Sequence, residues 1–339
     1  MKKALLALGL AVSMTGFSCM ANPEPKKSDA DKDNLRLLYW NIQNGMWAGQ
    51  PDNYNQFVDF VKEQNPDVCV WCEAATIYHD GTSVKRDKSE CYLPNNWGEL
   101  AARYGHKYWY KGGHRDNYPQ VITSRYPITN VEQIIGQQPD SVVTHGAGWA
   151  QIEKNGNVIN IVTLHTWPQR FRFPNPATAE ERKLSSANNE GDKYRRMEIE
   201  YICNHTIDQV PDADQQLWMM MGDFNARSSV DNYYYKMNPD TTLFLVHDYI
   251  RNNTPYIDVI AEKYPGEFKS SVFGPQRIDF VYCTKPLFDR IKFADIIRNE
   301  YTEPIRDPQK KTGFCIPSDH CPILVDFDMK KAKKYKRQK

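Results

Sequence analysis

Past its first residues the chain contains no apolar run long enough to cross a bilayer, so nothing in its body is a candidate membrane-spanning helix. No Pro- or Ser-rich stretch divides residues 35–329, which argues against two domains on a linker. No segment recurs at the period of about 20 to 50 residues that marks solenoids and propellers. No second Cys or His pair stands at zinc-finger spacing from Cys69 and Cys72, and Asp67-Val68-Cys69-Val70-Trp71-Cys72-Glu73 reads as a buried strand. The 8 cysteines are therefore read as small core hydrophobes. Export, argued below, permits disulfides without requiring any. A large charge imbalance is also missing, since 43 Lys and Arg face 42 Asp and Glu. The balance is uneven locally: residues 330–339 carry seven Lys or Arg and no acid, and the body between leader and tail is left about seven units negative. An acidic body counts against tight non-specific binding to duplex nucleic acid, and the basic tail reads as a solvated end.

What is present describes one well-mixed globular chain of 339 residues, 40% hydrophobic and 25% charged, able to bury a sizeable core. Met1-Lys2-Lys3 followed by the apolar residues 4–14 has the form of an export signal. Gly16-Phe17-Ser18-Cys19 offers a lipoprotein cleavage site before Cys19, whereas Cys19-Met20-Ala21 offers an ordinary one before Asn22; the lipoprotein reading is slightly favoured. The expected organisation is an export signal at 1–21, a flexible Pro-, Lys- and Asp-rich leader at 22–34, one domain at 35–329 and a basic tail at 330–339. The expected location is periplasmic, outer-membrane lipoprotein or extracellular. The only membrane contact expected is an N-terminal lipid anchor, and the expected state is a monomer.

Strand patterns occupy 35–42, 68–71, 107–110, 120–124, 128–134, 147–152, 158–164, 217–221, 278–283, 291–296 and 322–327, with Asn155-Gly156 as a hairpin turn. Helices are expected at 54–64, ended by Asn65-Pro66, at 97–104, and in the regions 242–251 and 256–264. Tyr194, Met197, Tyr201, Ile202 and His205 mark the inward stripe of a further helix running to about Val210. Residues 166–192 are polar and Pro-containing, and read as a functional flap or a disordered loop. Strands dominate both halves, so one domain of two packed sheets with helices outside is expected.

Gly222-Asp223-Phe224-Asn225, after the apolar run Leu217-Trp218-Met219-Met220-Met221, puts a carboxylate and a carboxamide at a strand end. Asn41, Glu73, His165, Asp279 and the pair Asp319-His320 also fall at strand ends. Acceptors, donors and a base meeting on one rim suit metal-assisted phosphoester hydrolysis. Six segments in order, Trp40-Asn41-Ile42, Pro66-Asp67-Val68 with Glu73, Thr163-Leu164-His165, Gly222-Asp223-Phe224-Asn225, Ile278-Asp279-Phe280 and Ser318-Asp319-His320-Cys321-Pro322, give the chain a resemblance to the endonuclease/exonuclease/phosphatase superfamily of deoxyribonuclease I-like enzymes. Any one segment alone is compatible with chance, and the resemblance covers roughly 35–328.

The resemblance implies an α+β fold, a four-layer α/β/β/α sandwich of two packed, mainly antiparallel sheets with outer helices. It implies a Mg2+ site at Asn41 and Glu73, with Mn2+ as a possible substitute and Asp319 as a metal-side or network acid. His320 would be the base that takes a proton from the attacking water, with Asp279 fixing its tautomer. His165 would donate to the phosphate, while Asp223 and Asn225 align the water and hold a non-bridging oxygen. Outside this pattern Glu73 would be an exposed strand-end acid, His320 a structural histidine and Asn225 a turn residue. Three departures stand out. Gln43 occupies a place where abasic-site endonucleases carry an acid, Pro119-Gln120 replaces a usual Gly-Asn, and Tyr118 stands where deoxyribonuclease I pairs its second histidine with an acid, Asp116 being only close. The charge on His165 is left open.

Substrate contacts are expected from Tyr118, Trp149, Trp167 and Arg170. The tryptophans either stack on a base or sugar or pack under the flap, and exposed loop arginines such as Arg170 and Arg172 usually do nothing specific. The expected activity is that of an exported Mg2+-dependent phosphoesterase acting on a phosphodiester of a nucleic acid, a nucleotide or a lipid headgroup. The alternatives are a deoxyribonuclease-like endonuclease, a phosphomonoesterase of the inositol-phosphatase type, and a non-catalytic surface binding protein. Retention of a working side chain in every motif disfavours the last.

Overall fold

The computed structural model describes residues 32–330, apart from 48–49, 51, 94, 113–117, 137–141 and 311–312. The expected export signal, Asp116 and the tail beyond Lys330 lie outside the described residues. The strands are β1 (Asn34–Asn41), β2 (Val68–Cys72), β3 (Tyr108–Lys111), β4 (Val121–Ser124), β5 (Thr129–Ile134), β6 (Ala147–Lys154), β7 (Asn157–His165), β8 (Leu217–Asp223), β9 (Tyr256–Asp258), β10 (Asp279–Thr284), β11 (Ile291–Ile296), β12 (Ile305–Arg306), β13 (Cys315–Ile316) and β14 (Ile323–Asp328). They form two six-stranded sheets, β11-β14-β1-β2-β4-β3 and β5-β6-β7-β8-β10-β9, and a two-stranded ribbon β12-β13. Among the described residues only β1-β2 and β7-β8 pair in parallel; every other pair is antiparallel.

Side-chain alternation explains the layers. From β1, Leu35, Leu37 and Tyr39 enter the core between the sheets, which they share with Val68 and Val70 of β2 and with Leu217, Met219 and Met221 of β8. The intervening Leu38 and Trp40 point outward to the helices Asn55–Gln64 and Trp97–Arg103. On the second sheet Trp218 and Met220 point outward to the helices Glu190–Asn204 and Leu245–Asn253. Central strands buried on both faces must be apolar throughout, which is why β1 and β8 read as unbroken greasy runs. The result is the four-layer α/β/β/α sandwich. Among the described residues no helix is long and apolar enough to cross a membrane. The described cysteines are unpaired, all buried except the half-buried Cys91.

Three expectations fail locally. Residues 166–192 are not a structureless flap: Thr178 and Glu181 form a capping box that starts the helix Ala179–Ala187, and the helix Glu190–Asn204 follows. The inward stripe of that second helix is also different. Met197 is 47% exposed, while Asp192, Arg195, Glu198, Ile199, Ile202 and Cys203 are buried. Arg195 is paired with Asp192 at 2.6 Å and Glu198 with main-chain donors, so polar residues take the core face and hydrophobicity alone points to the wrong side. Lastly, Tyr256–Asp258 is an edge strand rather than the start of the helix, which Asp258 caps by accepting from Ala261 N at 3.1 Å.

Candidate active site

The topology brings the motif residues to one rim. β1 and β2 run parallel and deliver Asn41 and Glu73 at their C-terminal ends, as β7 and β8 deliver His165 and Asp223. β10 is antiparallel to β8, so its first residue Asp279 pairs with Asp223, and antiparallel β14 starts beside the end of β1, just after Asp319 and His320. Gly222 allows the approach, because a Cβ there would run into the carbonyl oxygen of Leu164 on β7.

His320 is held from several sides. Its Nδ1 lies 2.7 Å from Asp279 Oδ2. Asp279 also accepts from Tyr39 Oη at 2.8 Å and Ser271 Oγ at 2.8 Å. The main chain of His320 donates to Ser318 Oγ at 3.1 Å and accepts from Trp40 Nε1 at 2.8 Å, while Ser318 Oγ donates to Asn41 O at 2.8 Å. With Nδ1 committed, Nε2 faces Asp319 Oδ1 at 3.5 Å and Asp223 Oδ2 at 3.7 Å. Burial opposes a charge on His320, but Asp279, Asp319 and Asp223 together outweigh it and hold its proton well above the ordinary range. Burial, then the charge of Asp279, pushes Asp223 up to about 8 against the pull of His320. Asp319 is pushed up to about 7, chiefly by burial, although its side chain is 30% exposed and solvent tempers that effect.

Glu73 sits at a left-handed φ of 52° and its Oε2 accepts from Asn44 N at 3.0 Å. Asn44 belongs to a left-handed turn, residues 43–47, whose non-glycine members all have positive φ. Such a turn is costly, and it is held by Tyr54 Oη on Gly45 O at 2.8 Å and by Asn44 Oδ1, which accepts from Ile77 N at 2.7 Å. Asn41 Nδ2 donates to Asp223 Oδ2 at 3.1 Å and leans on Glu73 Oε1 at 3.4 Å, while its Oδ1 accepts from Gln43 N at 3.0 Å. Turned this way, Asn41 ties the two carboxylates together, and only a flipped carboxamide would offer its oxygen to a cation. Gln43, the departure from the abasic-site pattern, bonds Gly313 O at 2.6 Å and accepts from Trp47 Nε1 at 2.9 Å and Asp319 N at 3.2 Å.

The ligating atoms of Glu73, His165 and Asp223 lie within 4.8 Å of one another, as do those of Asp223, Asp279 and His320. Asp319 Oδ1 has no hydrogen-bond partner among the described residues. Several acids crowded together, two of them pushed far up, and one orphaned carboxylate oxygen make an anionic cradle that a hard divalent cation would relieve. The donor set therefore fits such an ion.

On the opposite wall Asn225 N donates to Asp223 Oδ1 at 2.8 Å and Asn225 Nδ2 to Thr166 O at 3.1 Å. His165 Nε2 is 3.8 Å from Asp223 Oδ2, and its ring packs 4.5 Å from that of His145 and edge-on to Tyr118 at 5.9 Å. Neither of its nitrogens has a hydrogen-bond partner among the described residues. Burial first, then the charges of His145 and His320, hold its pKa well below the ordinary range, which disfavours the imidazolium. Tyr118 reaches Tyr78 Oη at 3.1 Å and belongs to this wall.

Two expected substrate contacts are displaced. Trp149 is not at the rim: it pairs with Val162, its indole N–H donates to Asn160 Oδ1 at 3.1 Å, and its ring packs 5.0 Å from Trp218 on the outer face of the sheet. Strand alternation decides this, since Trp149 and Trp218 share the helix-facing side. Trp167 is 8% exposed, donates from Nε1 to Phe171 O at 2.6 Å and packs on Phe171 and Phe173. It fills the space under the following segment, the second of the two readings. Arg170 is exposed, and its main-chain oxygen accepts from Gly191 N at 2.8 Å. Tyr39, Ser271, His145 and Glu198 enter the site without forewarning. Tyr39 reads as one more inner-face core residue, and the loop carrying Ser271 has no periodic pattern.

The sequence matches the model of the Endonuclease/Exonuclease/phosphatase family over residues 38–320. No curated protein matches it. Among solved structures it is similar to an AP endonuclease from Archaeoglobus fulgidus (TM-score 0.56, 16% identity, 87% of this chain and 99% of that one). It is likewise similar to the 3'-5' exonuclease NExo from Neisseria meningitidis (TM-score 0.57, 16% identity, 87% and 100%). A third similar structure is the 3' phosphatase NExo from Neisseria bound to a product DNA hairpin (TM-score 0.55, 14% identity, 87% and 99%). At these identities the solved structures bear on the fold, and the family model on the chemistry. By that match, and with the motif residues of all six segments on one rim, the chain belongs to the endonuclease/exonuclease/phosphatase family and is a phosphoester hydrolase.

Proposed function

We propose that the protein is a divalent-metal-dependent phosphodiesterase whose water is activated at His320. The observation that carries this reading is the Asp279–His320 pair at 2.7 Å with Nε2 turned toward Asp319 and Asp223. Mg2+, or Mn2+ in its place, held by Glu73, Asp319 and a flipped Asn41, would offset charge on the phosphate and the leaving oxygen. Asp279 keeps the Nδ1 proton, so the lone pair that accepts from water is on Nε2. Asp223 stands on the same side and shares the proton load. His165 donates from one nitrogen to a non-bridging oxygen, and Asn225 holds its neighbour. The substrate is a diester of a nucleic acid, nucleotide or lipid headgroup. DNA-acting neighbours favour a nucleic acid, and a deoxyribonuclease-like endonuclease is the narrower form of this proposal. Hydrolysis of bis(p-nitrophenyl) phosphate with Mg2+ or Mn2+ is expected, with His320→Ala or Asp223→Ala lowering turnover at least about 1000-fold in folded protein. Equal rates in metal and in chelator would defeat the mechanism. A panel of plasmid, sphingomyelin, cyclic nucleotides and inositol phosphates assigns the substrate.

The N-terminal residues 1–21 support a second element of the proposal, export with a lipid anchor on Cys19. Release of a Cys19→Ser variant from the membrane fraction is the expected result; unchanged fractionation would argue for a plain secretory signal.

A further inference from the structure

We infer that Glu198 is a positioning residue for His165, an inference that rests on the phosphoesterase reading of this site. The Glu198 side chain is 0% exposed on the helix Glu190–Asn204 and grips two separate segments. Oε1 accepts from the main-chain N–H of Thr144 at 2.8 Å and from its hydroxyl at 2.6 Å. Oε2 accepts from the main-chain N–H of Trp167 at 2.8 Å. Thr144 immediately precedes His145, whose ring lies 4.5 Å from that of His165, and Trp167 follows His165 by two residues. One carboxylate thus holds both the wall on which His165 leans and the chain just beyond it. Arg195, on the same face of the helix, reinforces the second grip by donating from one guanidinium nitrogen to Trp167 O at 2.7 Å and Gln169 O at 3.0 Å.

The grip matters because the His165 side chain makes no hydrogen bond of its own among the described residues. Its orientation is left to packing against His145 and Tyr118, and a donor to phosphate is useful only when it is aimed closely. A fully buried carboxylate is an expensive way to join two loops, and an apolar contact of the same volume would serve stability at least as well. Every partner of Glu198 here is a donor, so glutamine fits poorly: its amide NH2 would have to face an N–H or the hydroxyl.

The test compares the wild type with Glu198→Gln, Thr144→Val and Thr144→Ser. The readouts are hydrolysis of bis(p-nitrophenyl) phosphate with Mn2+ and imidazole 1H–15N NMR spectra of the metal-free protein. Thr144→Val keeps the side-chain shape and loses the hydroxyl bond; it is expected to lower kcat about 10-fold with KM within about 3-fold, and Glu198→Gln about 100-fold. The His145 and His165 signals should move while those of His247 stay, and Thr144→Ser should keep wild-type values in both readouts. Variants that lose melting temperature but keep wild-type kcat and His165 signals, or that change KM alone, overturn the inference and make Glu198 structural. Should Glu198→Gln fail to fold, Thr144→Val decides on the same criteria. If the wild type shows no diesterase activity, the functional reading fails instead. The spectra then decide: unmoved His165 signals overturn the positioning role, and moved ones support it.

Discussion

At the scale of single residues, protonation decides whether the rim can act as a base. Asp279, Asp319 and Asp223 raise the pKa of His320 against the opposing effect of burial, and Asp223 is pushed up to about 8. The unit accepts a proton from water only after losing one, so kcat/KM should rise with pH through the neutral range toward about 8. Asp279→Asn removes the largest charge that raises His320. It should move the alkaline-rising limb to lower pH while lowering kcat about 100-fold through loss of tautomer control; a pH–rate profile checks both. A limb unmoved by this change would mean that Asp279 does not govern the titrating group. The chemistry-bearing residues of this unit, Asp223, Asp279, Asp319 and His320, were legible as motifs because reactive side chains at strand ends have few structural reasons to be there. Tyr39 and Ser271, which hold Asp279, were not legible, because a hydroxyl on the facing sheet or in an irregular loop carries no local signal of the bond it makes.

At the scale of elements, the parallel pairing of β7 with β8 puts His165 opposite Asp223. Gly222 makes that pairing close enough. Gly222→Ala should force the strands apart at this point, cost about 1–3 kcal/mol in denaturant unfolding, and lower activity through the displaced Asp223. An alanine variant with wild-type stability and turnover would show that the approach is slack. Strand alternation was readable as a period, but the face each side chain takes needed the register. Trp149, in a strand predicted correctly, therefore lies on the helix side of its sheet rather than at the rim. The helix Glu190–Asn204 shows the same problem in another form: buried Arg195 and Glu198 look like solvent-facing residues until the main-chain groups they satisfy are in place.

At the scale of the whole molecule, the crowded acids set a pH dependence of stability. Between the ordinary carboxyl range and about 7 for Asp319 or about 8 for Asp223, the folded state keeps protons that the unfolded chain has lost. Stability therefore falls as pH rises through this window, and the raised pKa of His320 acts in the same sense above its ordinary value. Buried His106 and His247 are held down at about 4 and about 3, mainly by burial, so they remove stability as pH falls below the ordinary histidine range. In chelator the unfolding free energy should drop by about 1–2 kcal/mol from about pH 7 to about pH 9, and Mg2+ or Mn2+ should offset most of that drop. Thermal unfolding across this range, with and without metal, measures it. A decline that metal leaves untouched would separate the acids from any cation site.

The linear order of residues, by itself, determined the two-sheet architecture, through apolar runs of period two and turn residues between them, and the kinds of side chain available for catalysis. Tertiary structure alone decided the neighbours of His165, the turn of the Asn41 carboxamide, the retreat of Trp149 and Trp167 from the rim, and the grip of Glu198. The physical reason is that hydrophobic periodicity is a local property of the chain. Electrostatic environment and hydrogen-bond partnership arise between segments far apart in sequence, and come into being only when the two sheets close on each other.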